Sequence, residues 1–480
     1  MMKLKNQQGQ ILLQVIVYAS IAILFIGGAI GVVNVVVKSS HQDFNSELSI
    51  QIAEAGIDYY RWHLAHAPQD YQDGTGTAGP YIHNFNDKDG NIIGRFILTI
   101  TPPVTGSTIV TIKSEGSTNA NPNIKRTIMV KMGIPSWAKY SYVSNSYVWF
   151  GPSEPVVGLL HSNGGVRVDS TANNLVTSAL PKVDDPDHTG GDEFGVHTHK
   201  SPIDPLPPAS VPNRPDVFLA GRQFPVPAVD FVGLSNDLSQ LKTDAQTDGR
   251  YFANSGSRGY RLVLKTNDKF DIYKVTSTTS APNNCSTDAP SKNTYSIKNQ
   301  TLIQQNQPFP TNGIIFIEDH VWIEGQINSA RITIASGRFP ELSSTNTNII
   351  VNNNLRYSNF DGTDVIGLIA QGNFLVGLES SDTLEIDAAI LAKNGSTMRY
   401  YYTSACGSNY LKNSLTLRGM SGSFQRGNAF AWANSTNPSV VVSGYRTVNT
   451  FYDGNLLYGP PPSFPLTSDQ YTILSWEEIK

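Results

Sequence analysis

The sequence predicts an α+β chain: a long N-terminal helix packed on a small antiparallel sheet, then a large all-β domain with a β-helix or solenoid pattern. Three observations carry that prediction. Residues 11–37 contain no charged side chain, and an amphipathic stretch follows with no proline until Pro68. Residues 91–131 hold three segments that alternate apolar and polar side chains. Beyond residue 135, brief apolar beats recur between corners rich in Gly, Asn and Pro.

The uncharged run exceeds the ~20 residues that cross a bilayer core. Lys3 and Lys5 precede it, so the N-terminus is expected in the cytoplasm and the bulk of the chain outside. A secretory signal would have an apolar stretch of about 7–15 residues and a small-residue cleavage site. Here the helical pattern continues instead. Phe44, Leu48, Ile52, Ala55, Tyr59 and Trp62 fall on one stripe, so a single helix is expected over residues 10–67. It would be roughly 85 Å long.

The three alternating segments are residues 91–102, 107–113 and 125–131. Phe96, Leu98 and Ile100 mark the apolar face of the first, Ile109 and Thr111 of the second, and Ile128 and Val130 of the third. Residues 68–134 therefore read as a small meander whose face the helical stripe covers. In the remainder, 135–480, residues 158–163, 367–373 and 389–394 resemble one another. The last two are offset by 22 residues, which aligns Leu368 with Ile390. Ile315, Ile317, Val321, Ile323, Ile327, Ile332 and Ile334 form further beats. Coils of that length suggest a parallel β-helix or related solenoid, with an irregular sandwich as the alternative. Residues 181–215 and 277–292 read as loop insertions and 230–247 as a short helix bearing Phe231, Leu234, Leu238, Leu241 and Ala245. The tail around 471–476 is a candidate strand that could cap the solenoid.

Gly9 directly before the apolar helix resembles the leader of type IV pilins and pseudopilins, and residues 52–57 (IAEAGI) resemble a stretch of PilX-like minor pilins. The resemblance implies a 1–9 leader, cleavage between Gly9 and Gln10 by a prepilin peptidase, and assembly with other pilin-like subunits and their machinery. Gln10 stands where the family has Phe or Met. Gln14 stands where it has a Glu that pairs with a neighbour's amine, and an amide cannot neutralise that charge. Residues 457–465 and 474–478 resemble uncharacterised C-terminal domains on pilin-like bacterial surface proteins.

A net charge of −4 without a basic stripe excludes non-specific nucleic-acid binding. Cys285 and Cys406 are the only cysteines, and outside the membrane they are expected to pair. No enzyme motif and no cofactor site is read. His188, Asp192, Glu193, His197 and His199 are the densest metal-ligand candidates, His197 and His199 pointing to one side, but on a segment of flexible composition. Asp184 with Asp185, and Glu318, Asp319 and His320, could imitate the acids of polysaccharide-cleaving β-helix enzymes. Tyr400 and Tyr402, beside Arg399 and Tyr401, are candidates for glycan contact. The expected function is a membrane-anchored minor pilin or pseudopilin displaying a β domain for adhesion or at a pilus tip. An anchored envelope-polysaccharide enzyme and a structural scaffold are the alternatives.

Overall fold

The computed structural model describes residues 8–103, 107–427, 430–434, 437 and 440–479; most of the leader read over residues 1–9 lies outside them. The chain forms two compact units. One comprises the N-terminal residues up to Pro102, Val110–Met132 and the C-terminal residues from Ile473; the other is built from Gly133–Thr472.

In the first unit, helix α1 spans Gln8–His66 without a break. Every side chain from Ile11 to Phe44 is exposed, and by length and composition this helix can cross a membrane. Its C-terminal part packs on an antiparallel sheet of β1 (Tyr81–Asn86), β2 (Ile92–Thr101), β3 (Val110–Thr118) and β4 (Lys125–Gly133). The C-terminal strand Thr472–Ile479 completes the sheet beside β4. Glu478 pairs there with Arg126, whose Nη1 donates to Ser46 Oγ at 2.7 Å. The tail is thus the fifth strand of this sheet, not a cap on the other unit, and β1 lies in a segment given no strand from sequence.

The buried stripe of α1 differs from the expected one by a rotation of about one residue. Phe44 and Trp62 are 65% and 61% exposed, whereas Asn45, Ser49, Ile52, Ala53, Gly56, Ile57, Tyr60 and Leu64 face the sheet side and are buried. Close approach selects small residues. A Cβ on Gly116 of β3 would lie 2.1 Å from the Ser49 carbonyl oxygen and 2.5 Å from the Ala53 nitrogen, and one on Gly56 would lie 2.3 Å from Ser114 Oγ. Bulk was the wrong guide to the contact face. The buried apolar residues of β3 are Val110 and Ile112, whereas Thr111 and the preceding Ile109 are only partly buried, since a one-residue shift in strand phase exchanges the two faces. Phe96, Leu98, Ile128 and Val130 are buried as expected.

The second unit is mostly β, with parallel ladders. Arg250–Phe252, Ile314–Ile317, Arg331–Ser336, Val365–Ala370, Thr383–Ala392, Leu411–Ser423, Tyr140–Ser144, Leu159–Ser162, Val176–Ser178 and Arg222–Gln223 pair in that order, each parallel to the next. Leu368 lies opposite Ile390, the pair that the 22-residue offset aligns. A second ladder runs through Gly259–Lys265, Val321–Gln326, Ile349–Ile350, Phe374–Leu375 and Thr397–Met398.

Strand Val365–Ala370 is buried on both faces. Ile366, Leu368 and Ala370 enter one core with all seven residues of the 315–334 beats. Val365 and Ile369 face a second core built on helix α2 (Leu234–Thr247), whose Leu234, Leu238, Leu241 and Ala245 are buried there with Phe231. Two covered faces explain continuous apolar runs in place of alternation. The segment 277–292 is no simple excursion. It belongs to a hairpin in which Lys269–Ser280 pairs antiparallel with Asn293–Pro308, and this hairpin continues the second ladder past Gly259–Lys265. Its loop carries Cys285, disulfide-bonded to Cys406, 121 residues away. Thr403 N donates to Ser286 O beside the bridge, at 3.0 Å.

Gly116→Val should lower stability by about 3 kcal/mol, at the upper end of overpacking costs because the obstructing atoms are backbone; Trp62→Ala should change it by no more than about 0.5 kcal/mol. Denaturant titration of the two variants checks the seam, and the reverse ranking would restore the bulky stripe. Replacing Cys285 and Cys406 together by Ser should cost about 2–5 kcal/mol under non-reducing conditions. An unchanged midpoint would mean that the backbone bonds alone hold the hairpin loop.

Candidate metal centre

The 181–215 segment carries the densest group of ligand-type side chains, and it is not the mobile surface loop its composition suggested. Lys182–Val183 pairs antiparallel with Glu193–Phe194, with Val183 opposite Glu193, and the connection opens with a turn in which the His188 amide donates to the Asp185 carbonyl at 3.1 Å, so the acid is folded back. Val196–His197 then joins Val166–Val168 in parallel. Val196 is fully buried in a core with Val148, Val166 and Val168, which anchors the segment. Gly195 is required between the two pairings, because a Cβ there would lie 1.7 Å from the Leu180 carbonyl oxygen.

This path gathers Asp185, Glu193, His197 and His199, each offering one ligand atom, all within 4.8 Å of one another. His197 Nε2 lies 2.5 Å from Glu193 Oε2 and 3.7 Å from Asp185 Oδ2, and His199 Nε2 lies 2.7 Å from Glu193 Oε1. The side chains of His197 and Asp185 are each 1% exposed. His197 Nδ1 faces the Phe194 carbonyl oxygen at 2.8 Å and donates to it, leaving Nε2 turned into the cluster. His197 Nε2 and Glu193 Oε2 are buried and hydrogen-bond to nothing among the described residues. His197 and His199 do share one side, as the alternation implied.

A layer of fixed polar groups surrounds the cluster. Arg167 Nη1 donates to Asp185 Oδ2 at 3.0 Å and its Nε to Asp169 Oδ2 at 2.8 Å. Asp169 Oδ1 accepts from the His199 amide at 2.7 Å, and Asp169 Oδ2 from Trp149 Nε1 at 2.9 Å. Burial pushes the Asp185 pKa up, but the Asp187 amide and the Arg167 guanidinium outweigh it and hold the carboxyl below its ordinary range. For His197, burial dominates the pull of Glu193, so the imidazole sits below its usual value and favours the neutral form that ligates metals. His188 stands at the solvent side, half exposed, with Nδ1 3.3 Å from Glu193 Oε1. Asp184 and Asp192 are exposed outside the group.

Sequence reasoning paired Asp185 with Asp184 and missed its place among the histidines, together with Arg167 and Asp169. The signal was the run of turn-forming residues from Pro186 to Gly191, across which Asp185 and Glu193 can face each other in a hairpin.

The remaining candidates are dispersed. Gly9 and Gln10 belong to the backbone of α1, and their side chains lie outside the described ones; Gln14 is exposed on the helix. Glu318 pairs with Lys242 and accepts from Tyr251, while buried Asp319 accepts from Arg338 and Ser255. His320 Nδ1 accepts from the Asn348 amide. Each acid thus has its own partner, and no acid pair forms there. Tyr400 and Tyr402 are buried at 9% and 0% exposure, contrary to a role as exposed glycan platforms. Tyr400 stacks on Tyr295 with ring centroids 5.6 Å apart, and Arg399 lies over the Tyr402 ring and donates to the carbonyl oxygens of Leu378 and Asn409. The loop Ser404–Tyr410 and the hairpin pinned by Cys285 cover these rings, a tertiary event that local alternation does not reveal.

No family model and no curated protein matches this sequence. Among solved structures it is similar to the competence-associated pilin ComZ from Thermus thermophilus, with 13% identity over 91% of this chain and 97% of that one and a TM-score of 0.27. At that score the likeness carries no argument about this chain.

Proposed function

We propose that the chain is a membrane-anchored, pilin-like surface protein of the minor pilin or pseudopilin kind. In this reading it displays its Gly133–Thr472 unit outside the cytoplasmic membrane, for adhesion or at a filament tip. The observation that carries the reading is the single unbroken α1. Its N-terminal part leaves a long run of apolar side chains uncovered, which lipid or neighbouring apolar helices would cover, and its C-terminal part packs on an antiparallel sheet. The Cys285–Cys406 bridge adds support, since disulfides persist in oxidising compartments outside the cytoplasm.

The displayed unit is best described as a parallel β-helix; its support is the succession of parallel pairings, each with an unbroken register along its length. Display in place of polysaccharide cleavage is favoured because Glu318 and Asp319 are each held by a basic side chain, Lys242 and Arg338. Processing between Gly9 and Gln10 by a prepilin peptidase belongs to the same proposal, as do partner pilin subunits.

In cells that make a prepilin peptidase, the full chain should fractionate with the envelope, begin at Gln10 and be cut by external protease in spheroplasts. Edman sequencing of the envelope form that reads an intact N-terminus removes the processing step. Recovery of the full chain in the soluble cytosol overturns the whole reading.

A further inference from the structure

We propose that Asp185, Glu193, His197 and His199 bind one divalent transition ion of the zinc class, which ties the hairpin of Lys182–Val183 and Glu193–Phe194 to Val196–His197, the segment that joins the parallel ladder. This site is independent of the membrane reading above.

Charge is the first argument. Arg167 is shared between Asp169 and Asp185, so the buried Glu193 carboxylate has only imidazoles as neighbours in the cluster. A buried carboxylate without a cation is costly. A divalent ion would balance the excess negative charge of Asp169, Asp185 and Glu193 over Arg167. The second argument is orientation. His197 Nδ1 is taken up by the Phe194 carbonyl, so Nε2 is aimed at Glu193 Oε2 at 2.5 Å, and neither of these two buried atoms has a hydrogen-bond partner among the described residues. A carbonyl on the far nitrogen is the usual support of a ligating imidazole.

The donor chemistry sets the class of ion. Two imidazoles and two carboxylates suit zinc and its neighbours, whereas calcium and magnesium take oxygen donors. Ligands at ~2.0–2.2 Å from a tetrahedral ion stand roughly 3.3–3.6 Å apart. The observed 2.5, 2.7 and 3.7 Å separations reach that spacing by rotamer adjustments of about an ångström. Asp169 acts as a positioning residue. It orients Arg167, which holds Asp185, and it fixes the His199 backbone.

The full chain, purified in detergent and stripped with a chelator, should take up one zinc per molecule by calorimetry and elemental analysis. Affinity for zinc should exceed that for magnesium or calcium by at least a hundredfold. His197→Gln and Glu193→Gln should each weaken zinc binding at least a hundredfold, and Asp169→Asn by about tenfold, in line with the effect of outer-shell partners. Zinc should also slow proteolysis within residues 182–199 of the unaltered chain, a readout that needs no variant to fold. Zinc uptake equal to that of a His197→Gln/His199→Gln double variant overturns the proposal, as does a 182–199 cleavage rate unchanged by zinc. In that case the cluster is an imidazolium–carboxylate pair.

Discussion

The chain depends on one seam, where the backbone of β3 at Gly116 lies against the backbone of α1 at Ser49 and Ala53. A sheet with one apolar face needs a cover, and α1 supplies it. The seam is lined by Gly, Ala and Ser because the two backbones approach too closely for larger side chains, so Ile52, Ile57, Tyr60 and Leu64 flank it. The same sheet receives both ends of the intervening chain. Residues leave it after β4 and return as Thr472–Ile479, its neighbour, where Thr472 Oγ1 reaches the Gly133 carbonyl at 3.3 Å. A large unit can be carried between two strands when its ends lie this close together.

Within that unit, parallel pairing has a thermodynamic condition attached: both faces of the ladder must be covered. One face looks into the core of Ile315, Leu368 and Ile390. The other is closed by α2 and by the proline-rich stretch after Tyr458, in which Pro460 and Pro462 carbonyls accept from Arg331 and Thr333. Gly367 faces Pro461 there, where a Cβ would lie 2.7 Å from the proline ring. The exposed end of the second ladder is carried by the Lys269–Pro308 hairpin, whose outer strand is rich in Asn and Gln, a polar edge of the kind that resists pairing with other chains.

The buried charges among the described residues have unequal solutions. Arg399, fully buried, donates from Nη1 and Nη2 to the backbone carbonyls of Tyr410, Leu378 and Asn409 and lies over the Tyr402 ring, with no acid paired to it among the described residues. Asp319 and Asp387 each meet an arginine. Glu193 differs, with three imidazoles around it and no arginine or lysine in contact among the described residues. Asp364, equally buried, also lacks a basic partner in contact but accepts from the Ala330, Ser358 and Asn359 amides, and the ion proposed for residues 182–199 would give Glu193 its counter-charge.

The sequence by itself determined what local patterning controls. The length of α1 follows from an uncharged run and the absence of proline, α2 from its apolar period, and the 22-residue offset from repeated beats that reappear as the Leu368–Ile390 register. Tertiary structure alone decided whatever depends on distance in space. The buried stripe of α1 turned on how near a glycine strand could come. The face of β3 turned on a one-residue shift in strand phase, and the place of the last strand on an edge 340 residues upstream. The burial of Tyr400 and Tyr402 turned on a disulfide-pinned loop, and the gathering of Asp185 with Glu193, His197 and His199 on a short hairpin and one buried valine. Periodicity records which residues avoid water along one element. It holds no information on which distant backbone will arrive to cover them.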